Sequence, residues 1–190
     1  KGNVITDDEI IPFKKVKRIS FNKNLKLYTL NNNKSNFKIL LHFFKDESQI
    51  LRIKYKNLIE DINLKLIGKI QLKNLLMAII AAEKSGLELR KILKVIPKLK
   101  AIEGRFEKIG NIKNKAKVIL DYAHTPDALK VCLLNLREQF PNKEIILLFG
   151  CGGNRDQNKR SKMGKIAAKY SNLIYLTDDN PRFENPDKIR

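Results

Sequence analysis

Three short clusters in the second half of the chain carry most of the residues equipped for chemistry. They are Asp121-Tyr122-Ala123-His124-Thr125-Pro126-Asp127, Gly150-Cys151-Gly152-Gly153-Asn154-Arg155-Asp156 and Asp178-Asp179-Asn180-Pro181-Arg182. In the first, the Asp121 carboxylate can accept ribose hydroxyls, and His124 places an imidazole beside it. Helix capping accounts for Thr125 and Pro126, because a Thr oxygen accepts a backbone N–H and proline suits the first helical position. For Asp121 and His124 a nucleotide contact and a structural role are both open. In the second cluster, glycines stand where a backbone turns tightly or approaches a ligand, and Arg155, Asp156, Lys159 and Arg160 lead toward a helix. Neither a Gly-Lys-Ser/Thr phosphate loop nor Gly-x-Gly-x-x-Gly is present, so a plain turn competes with a binding loop. In the third, Pro181 fixes the backbone and Arg182 offers a planar fork to a carboxylate, against an ordinary Asp-Asn-Pro turn.

Other reactive residue types are sparse. Cys132 falls in a helical stretch and Cys151 in the glycine loop, which gives no disulfide framework and no zinc spacing. Nothing in the sequence brings His124 near enough to Cys151 to make it a nucleophile. His42 has no Cys, His or acidic cluster around it and reads as a packed strand residue.

The elements that must position the clusters follow from texture. From Lys117 the chain runs VILDYA, a helix from Pro126 to about Gln139, EIILLFGCGG, a helix from about Ser161 to Tyr170, then NLIYLTDD. Apolar strands alternating with helices predict a parallel sheet covered on both faces, with binding loops at the carboxyl ends of its strands, so the three clusters should converge on one rim. Before this lies a different pattern. Leu25–Tyr28, Phe37–Phe44, Ile50–Tyr55 and Ile62–Ile67 read as strands of a small antiparallel meander, with Asp46-Glu47-Ser48 as a hairpin connection. Leu51, Ile53 and Tyr55 should share one face, opposite Arg52, Lys54 and Lys56. Asn31-Asn32-Asn33 marks a loop. After Gly68, Leu72–Ser85 is an apolar helix stopped by Gly86, and Glu88–Val95 is a second helix before Pro97. A domain boundary is expected between Glu103 and Lys113.

Composition narrows the class. The 190 residues, 43% of them hydrophobic, suffice for one large domain or two small ones. The 39 Lys and Arg exceed the 20 Asp and Glu, for a net charge of +19. That excess is scattered along the chain rather than gathered into a patch, so it reads as a solvated basic surface suited to anionic nucleotide substrates, and no nucleic-acid partner is expected. No apolar run approaches the roughly 20 residues that span a bilayer, and no signal-peptide pattern opens the chain. A soluble cytoplasmic protein, monomeric and without a membrane partner, is expected. The start at Lys1 and the stop at Arg190, inside an element just beginning, read as a fragment cut at both ends.

Taken together and in order, Asp121 to Pro126, Gly150 to Asp156 with Lys159-Arg160, and Asp179-Asn180-Pro181-Arg182 resemble the Mur ligase family. The likeness extends back through Gly104-Arg105 and the Asn74 helix to Val4-Ile5-Thr6-Asp7-Asp8-Glu9 and is weak from Ile10 to Lys65. It implies an α/β fold: residues 1–103 as the end of the family's central ATPase domain, antiparallel strands plus helices, and 104–190 as the start of a Rossmann-like C-terminal domain, truncated. It also implies a reaction, in which ATP, with Mg2+, phosphorylates a D-glutamyl side-chain carboxylate and the amine of an incoming amino acid attacks the acyl phosphate. By position, Arg155, Asp179, Asn180, Pro181 and Arg182 match residues that hold meso-diaminopimelate, the amino acid added to UDP-N-acetylmuramoyl-L-alanyl-D-glutamate in peptidoglycan precursor synthesis. Asn74, Arg105, Asp121 and His124 match the nucleotide side. Gln71 departs from the family, whose members usually carry Asn just before the Asn74 turn; it keeps the amide but lengthens the reach toward adenine. The family's phosphate loop, its carbamylated lysine and its last diaminopimelate-contacting segment are absent, so no catalytic residue is assigned and the fragment alone is not expected to be active. Competing readings are another Mur-like amide ligase, of the folylpolyglutamate or cyanophycin synthetase type, and a basic nucleic-acid-binding module.

Overall fold

The computed structural model describes residues 2–30 and 37–190, which form two compact units, Lys1–Ala101 and Ile102–Arg190. The loop expected at Asn31-Asn32-Asn33 lies outside the described residues.

In the first unit, the described strands β1 (Asn3–Asp7), β2 (Lys26–Leu30), β3 (Phe37–Lys45), β4 (Ser48–Tyr55) and β5 (Leu58–Leu64) form one sheet in that order. The meander expected from four segments is therefore corrected. β3, β4 and β5 are antiparallel, whereas β2 runs parallel to both of its neighbours. Helix α1 (Phe13–Asn22) supplies the crossover that a parallel β1–β2 pair requires. The last strand begins at Leu58 rather than Ile62, because Tyr55 pairs with Leu58 across a two-residue turn. Lys56 in that turn and Asp46 in the β3–β4 turn have left-handed backbones, as the turns that suit twisted hairpins demand.

Alternation along β4 buries Leu51, Ile53 and Tyr55 and exposes Arg52 and Lys54. Helix α2 (Lys69–Lys84) lays Leu72, Leu76, Ile79 and Ile80 into the same core, the i, i+4, i+7, i+8 spacing of a single helix face. Helix α3 (Leu89–Val95) and a 3-10 turn at Ile96–Lys98 follow, and the buried Ile96 joins the core. Gln49, fully buried, fastens the segment leading into α2: its Nε2 donates to the carbonyls of Leu66 (2.7 Å) and Gly68 (3.1 Å). With both amide hydrogens used, its oxygen must accept from His42 Nε2 at 3.0 Å, which fixes the His42 tautomer. His42 is thus a half-buried structural residue. At the end of β1, Asp7 pairs with Lys73 of α2 at 2.6 Å, and Glu9 binds the same ammonium group.

The second unit is α/β. Strands β6 (Glu107–Ile112) and β7 (Ala116–Leu120) pair antiparallel, and β8 (Ile146–Phe149) and β9 (Leu173–Leu176) pair in parallel. Among the described residues no ladder joins β7 to β8, so the single three-stranded parallel sheet expected from the texture is corrected to two pairs, with β7 using an edge on the unforeseen β6. Helix α4 (Pro126–Gln139) and helix α5 (Asn158–Tyr170) pack on one face of β8 through Leu129, Leu133, Met163, Leu147 and Phe149. Cover on both faces is not found: Ile146, Leu148, Leu173 and Tyr175, which point to the other face, are exposed. A short helix, α6 (Pro186–Ile189), ends the described chain.

Candidate functional site

The loop after β8 and the turn after β9 interlock. Gly153 N–H donates to the Asn180 carbonyl at 2.8 Å, and Arg182 Nη1 donates to the Gly153 carbonyl at 2.7 Å. The glycines are needed for this approach rather than for unusual dihedrals. A Cβ on Gly153 would lie 1.8 Å from the Pro181 carbonyl oxygen, one on Gly150 2.4 Å from that of Thr177, and one on Gly152 2.8 Å from Arg182 Nη1. Two of these neighbours are backbone and cannot swing away, so only glycine fits. The structure therefore places a neighbouring strand-end loop, rather than a ligand, against these three glycines.

Around this contact stand the residues singled out from sequence. Asn180 Oδ1 accepts the Arg182 N–H at 3.1 Å, a local turn that holds Arg182 at a left-handed φ of 51°. Asn154 has the same φ and its Oδ1 accepts the Phe183 N–H at 3.0 Å. Arg182 spends one nitrogen on Gly153, while Arg155 and Asp179 are exposed and carry no hydrogen bond or ion pair among the described residues. Two cations, a carboxylate and an amide thus border one pair of loops, a set complementary to a zwitterionic ligand with an additional carboxylate.

The cluster after β7 meets this region through helix α5. Lys159 Nζ donates to the His124 carbonyl at 2.9 Å. Thr125 caps α4, accepting the Ala128 N–H at 3.3 Å, with Pro126 in the first turn. Asp121 has a structural role, since its two oxygens accept the N–H groups of Phe106 and Ala123, each at 3.0 Å. The first of these ties down the turn that carries Arg105, and the Arg105 guanidinium lies 5.0 Å above the Tyr122 ring. His124, exposed, sits 5.0 Å from the same ring, and its Nδ1 is 3.2 Å from the Tyr122 carbonyl. Arg105, Asp121 and His124 are thereby brought together, whereas Asn74 lies on the exposed side of α2 in the first unit.

Cys151 is no nucleophile. It is buried against Met163, with sulfur atoms 3.9 Å apart, and burial pushes its thiol above the ordinary value, against the lowering pull of Lys159 and Arg160. Cys132 is pushed up to about 12, first by burial and then by Asp121.

Sequence reasoning missed Glu184. Its carboxylate grips Arg160 bidentately at 2.9 Å for each bond and accepts the Asn154 N–H and, at 3.3 Å, Gln157 Nε2. Arg160 holds the Glu184 carboxyl below the usual range, with the Asn154 N–H adding to it. The only signal in the sequence was an acidic residue two positions after Arg182, which points to no partner.

Residues 104–190 match the family model described as Mur ligase, glutamate ligase domain. Over all 190 residues the chain is 35% identical to the UDP-N-acetylmuramoyl-L-alanyl-D-glutamate--2,6-diaminopimelate ligase of Rickettsia felis, and it covers 35% of that protein. The chain belongs to the Mur ligase family. Over 137 residues, 72% of the chain and 28% of the relative, it is 45% identical to the protein of the same name from Fusobacterium nucleatum. A solved structure of a ligase so named superposes with a TM-score of 0.63 at 29% identity, covering 99% of this Mur ligase chain and 39% of that one. The chain thus spans about a third of the length of the relatives it matches.

Proposed function

We propose that this chain is part of an ATP-dependent ligase that joins meso-2,6-diaminopimelate to UDP-N-acetylmuramoyl-L-alanyl-D-glutamate in cytoplasmic peptidoglycan precursor synthesis. The names of the relatives support the reaction. The observation that carries the reading is the interlock of Gly152–Asn154 with Asn180–Arg182, which gathers Arg155, Asp179, Asn180 and Arg182 about one place. Diaminopimelate differs from lysine by a carboxylate beside its distal amine. An Arg can clamp that group with a fork, and lysine in the same place would leave the Arg without its partner.

In this reading the γ-phosphoryl group of ATP passes to the D-glutamyl carboxylate, giving an acyl phosphate and ADP. The diaminopimelate amine attacks the carbonyl carbon, the bond to phosphate oxygen breaks, and the amine loses a proton as the amide forms. Residues 1–103 would belong to the central domain and 104–190 to the amino-acid-binding domain. Arg105, exposed above the Tyr122 ring, suits an anionic phosphate, as does Lys159 at the His124 carbonyl beside that ring, and Asp121 and His124 would flank the nucleotide. Asn74 on α2 is assigned to the adenine side. Among the described residues no group of three or more His, Cys, Asp and Glu could hold a metal ion. No helix among them is long and apolar enough to cross a membrane.

The test is Arg182→Ala in the full-length protein that carries this segment. Loss of diaminopimelate ligation is expected, and unchanged kinetics with diaminopimelate would refute the assignment.

A further inference from the structure

Glu184 and Arg160 make no contact that a substrate would need, yet they join every part of the interlocked loops. Glu184 sits in the turn after Pro181, its N–H donating to the Pro181 carbonyl at 3.0 Å. Its carboxylate reaches across to three residues of the other loop and of α5: Asn154, Gln157 and Arg160. Arg160 adds a contact of 3.4 Å from Nη2 to the Gly152 carbonyl. The two side chains are only 15% and 21% exposed, and Arg160 Nε is buried without a partner, so the guanidinium is committed to this geometry.

We infer that the Arg160–Glu184 pair is a positioning device that sets the register of the Gly152–Asn154 loop against the Asn180–Arg182 turn and so shapes the amino-acid pocket; the inference rests on the pocket reading proposed above. A bidentate Arg–carboxylate pair fixes orientation as well as distance. Here that constraint acts on two residues with left-handed backbones, Asn154 and Arg182; asparagine tolerates that conformation, whereas for Arg182 it is disfavoured and persists only where its surroundings hold it. Glu184 binds the Asn154 N–H directly and lies two residues from Arg182. Without the carboxylate, Asn154 loses its backbone partner and the loop is free to drift from the turn. Arg155 on one loop and Asn180 and Arg182 on the other would then no longer meet one ligand at fixed spacing. A misplacement of about 1 Å costs on the order of 10²-fold in such a site.

The experiment uses the full-length ligase with Glu184→Ala, Glu184→Gln and Arg160→Lys. Glu184→Ala should raise KM for diaminopimelate by about 10²-fold while KM for ATP stays within about twofold. Glu184→Gln, which keeps an acceptor for Asn154, and Arg160→Lys, which keeps the charge but not the fork, should each have a smaller effect of the same kind. Unchanged diaminopimelate KM in Glu184→Ala, or equal losses for both substrates, would overturn the proposal. Amide hydrogen exchange gives a readout that needs no ligand and survives a failure of Glu184→Ala to fold. In Glu184→Gln, exchange at Gly153 and Asn154 should quicken about tenfold relative to the α4 amides. Unaltered exchange there would defeat the clamp. Should the unmodified enzyme fail to ligate diaminopimelate, the pocket reading falls, and the clamp is still decided by the exchange data.

Discussion

The two units hold themselves together in different ways, and two ion pairs of the same form show it. In the first unit Arg52 grips Asp61 through bonds of 2.7 and 2.8 Å on the sheet surface, with side chains 52% and 63% exposed. In the second, Arg160 also grips Glu184 bidentately, through its two terminal nitrogens, but the pair is mostly covered and tied into backbone groups on both sides. The first unit does not depend on its pair, because a continuous apolar core of β4, β5 and α2 residues orders the sheet. The second has a buried cluster of Leu129, Leu133, Cys151 and Met163 and leaves one face of β8–β9 exposed, so its loops are set by polar cross-links and close backbone contacts. Apolar packing builds a frame; directional bonds set a site.

Changes that strike the close contacts of the second unit should sharpen that contrast most. Gly153→Ala places a methyl group where the Pro181 carbonyl stands, and diaminopimelate binding by the full-length protein, followed by calorimetry, should be lost. In the first unit the largest effect should come from the core. Leu51→Ala, at a fully buried position, should cost about 2–5 kcal/mol in urea unfolding, with no specific effect on diaminopimelate recognition.

A smaller effect follows from Glu83. Burial alone would raise its pKa, but hydrogen bonds from Lys56, Lys84 and Tyr55 bring it down to about 2, while burial and Glu83 push Tyr55 up to about 12. Because the folded value of Glu83 is depressed, its contribution is complete above the ordinary value of 4.5 and is lost as pH falls from there through about 2. Acid unfolding of Glu83→Gln should show a weaker pH dependence in that window. Least of all, Asp61→Asn should leave the melting midpoint unmoved, as expected for an exposed pair.

How far the sequence anticipates the structure divides along the same line. Local signals read well: the alternation of β4, the Asp46 hairpin, the helix stopped near Gly86, and α4 opened by Thr125 and Pro126. Non-local pairing did not. β1 and β2 are short segments whose parallel partnership spans α1, a helix with no side-chain cap and a run of lysines that masks its apolar positions. β6 contains a glycine and a register shift between Lys108 and Gly110, which breaks the alternation that would have revealed it. At the site, the second and third clusters do meet at neighbouring strand ends, as their places after apolar strands suggested, but what the glycines face was visible only once Pro181 was in place. Arg160 and Glu184 stand 24 positions apart, and no periodicity joins them. Asp121 shows the same limit in reverse: a carboxylate with a ligand-like address turns out to be engaged by two backbone N–H groups.

As proposed, the paired loops select an amino acid with a second carboxylate. The most direct test is a competition in the full-length enzyme between meso-diaminopimelate and L-lysine, scored as kcat/KM for each. A preference for diaminopimelate of about 10³-fold or more is expected, the scale that follows when the wrong substrate leaves a committed polar group unpaired. Equal use of lysine, or a preference for it, would show that the paired loops do not select for the second carboxylate.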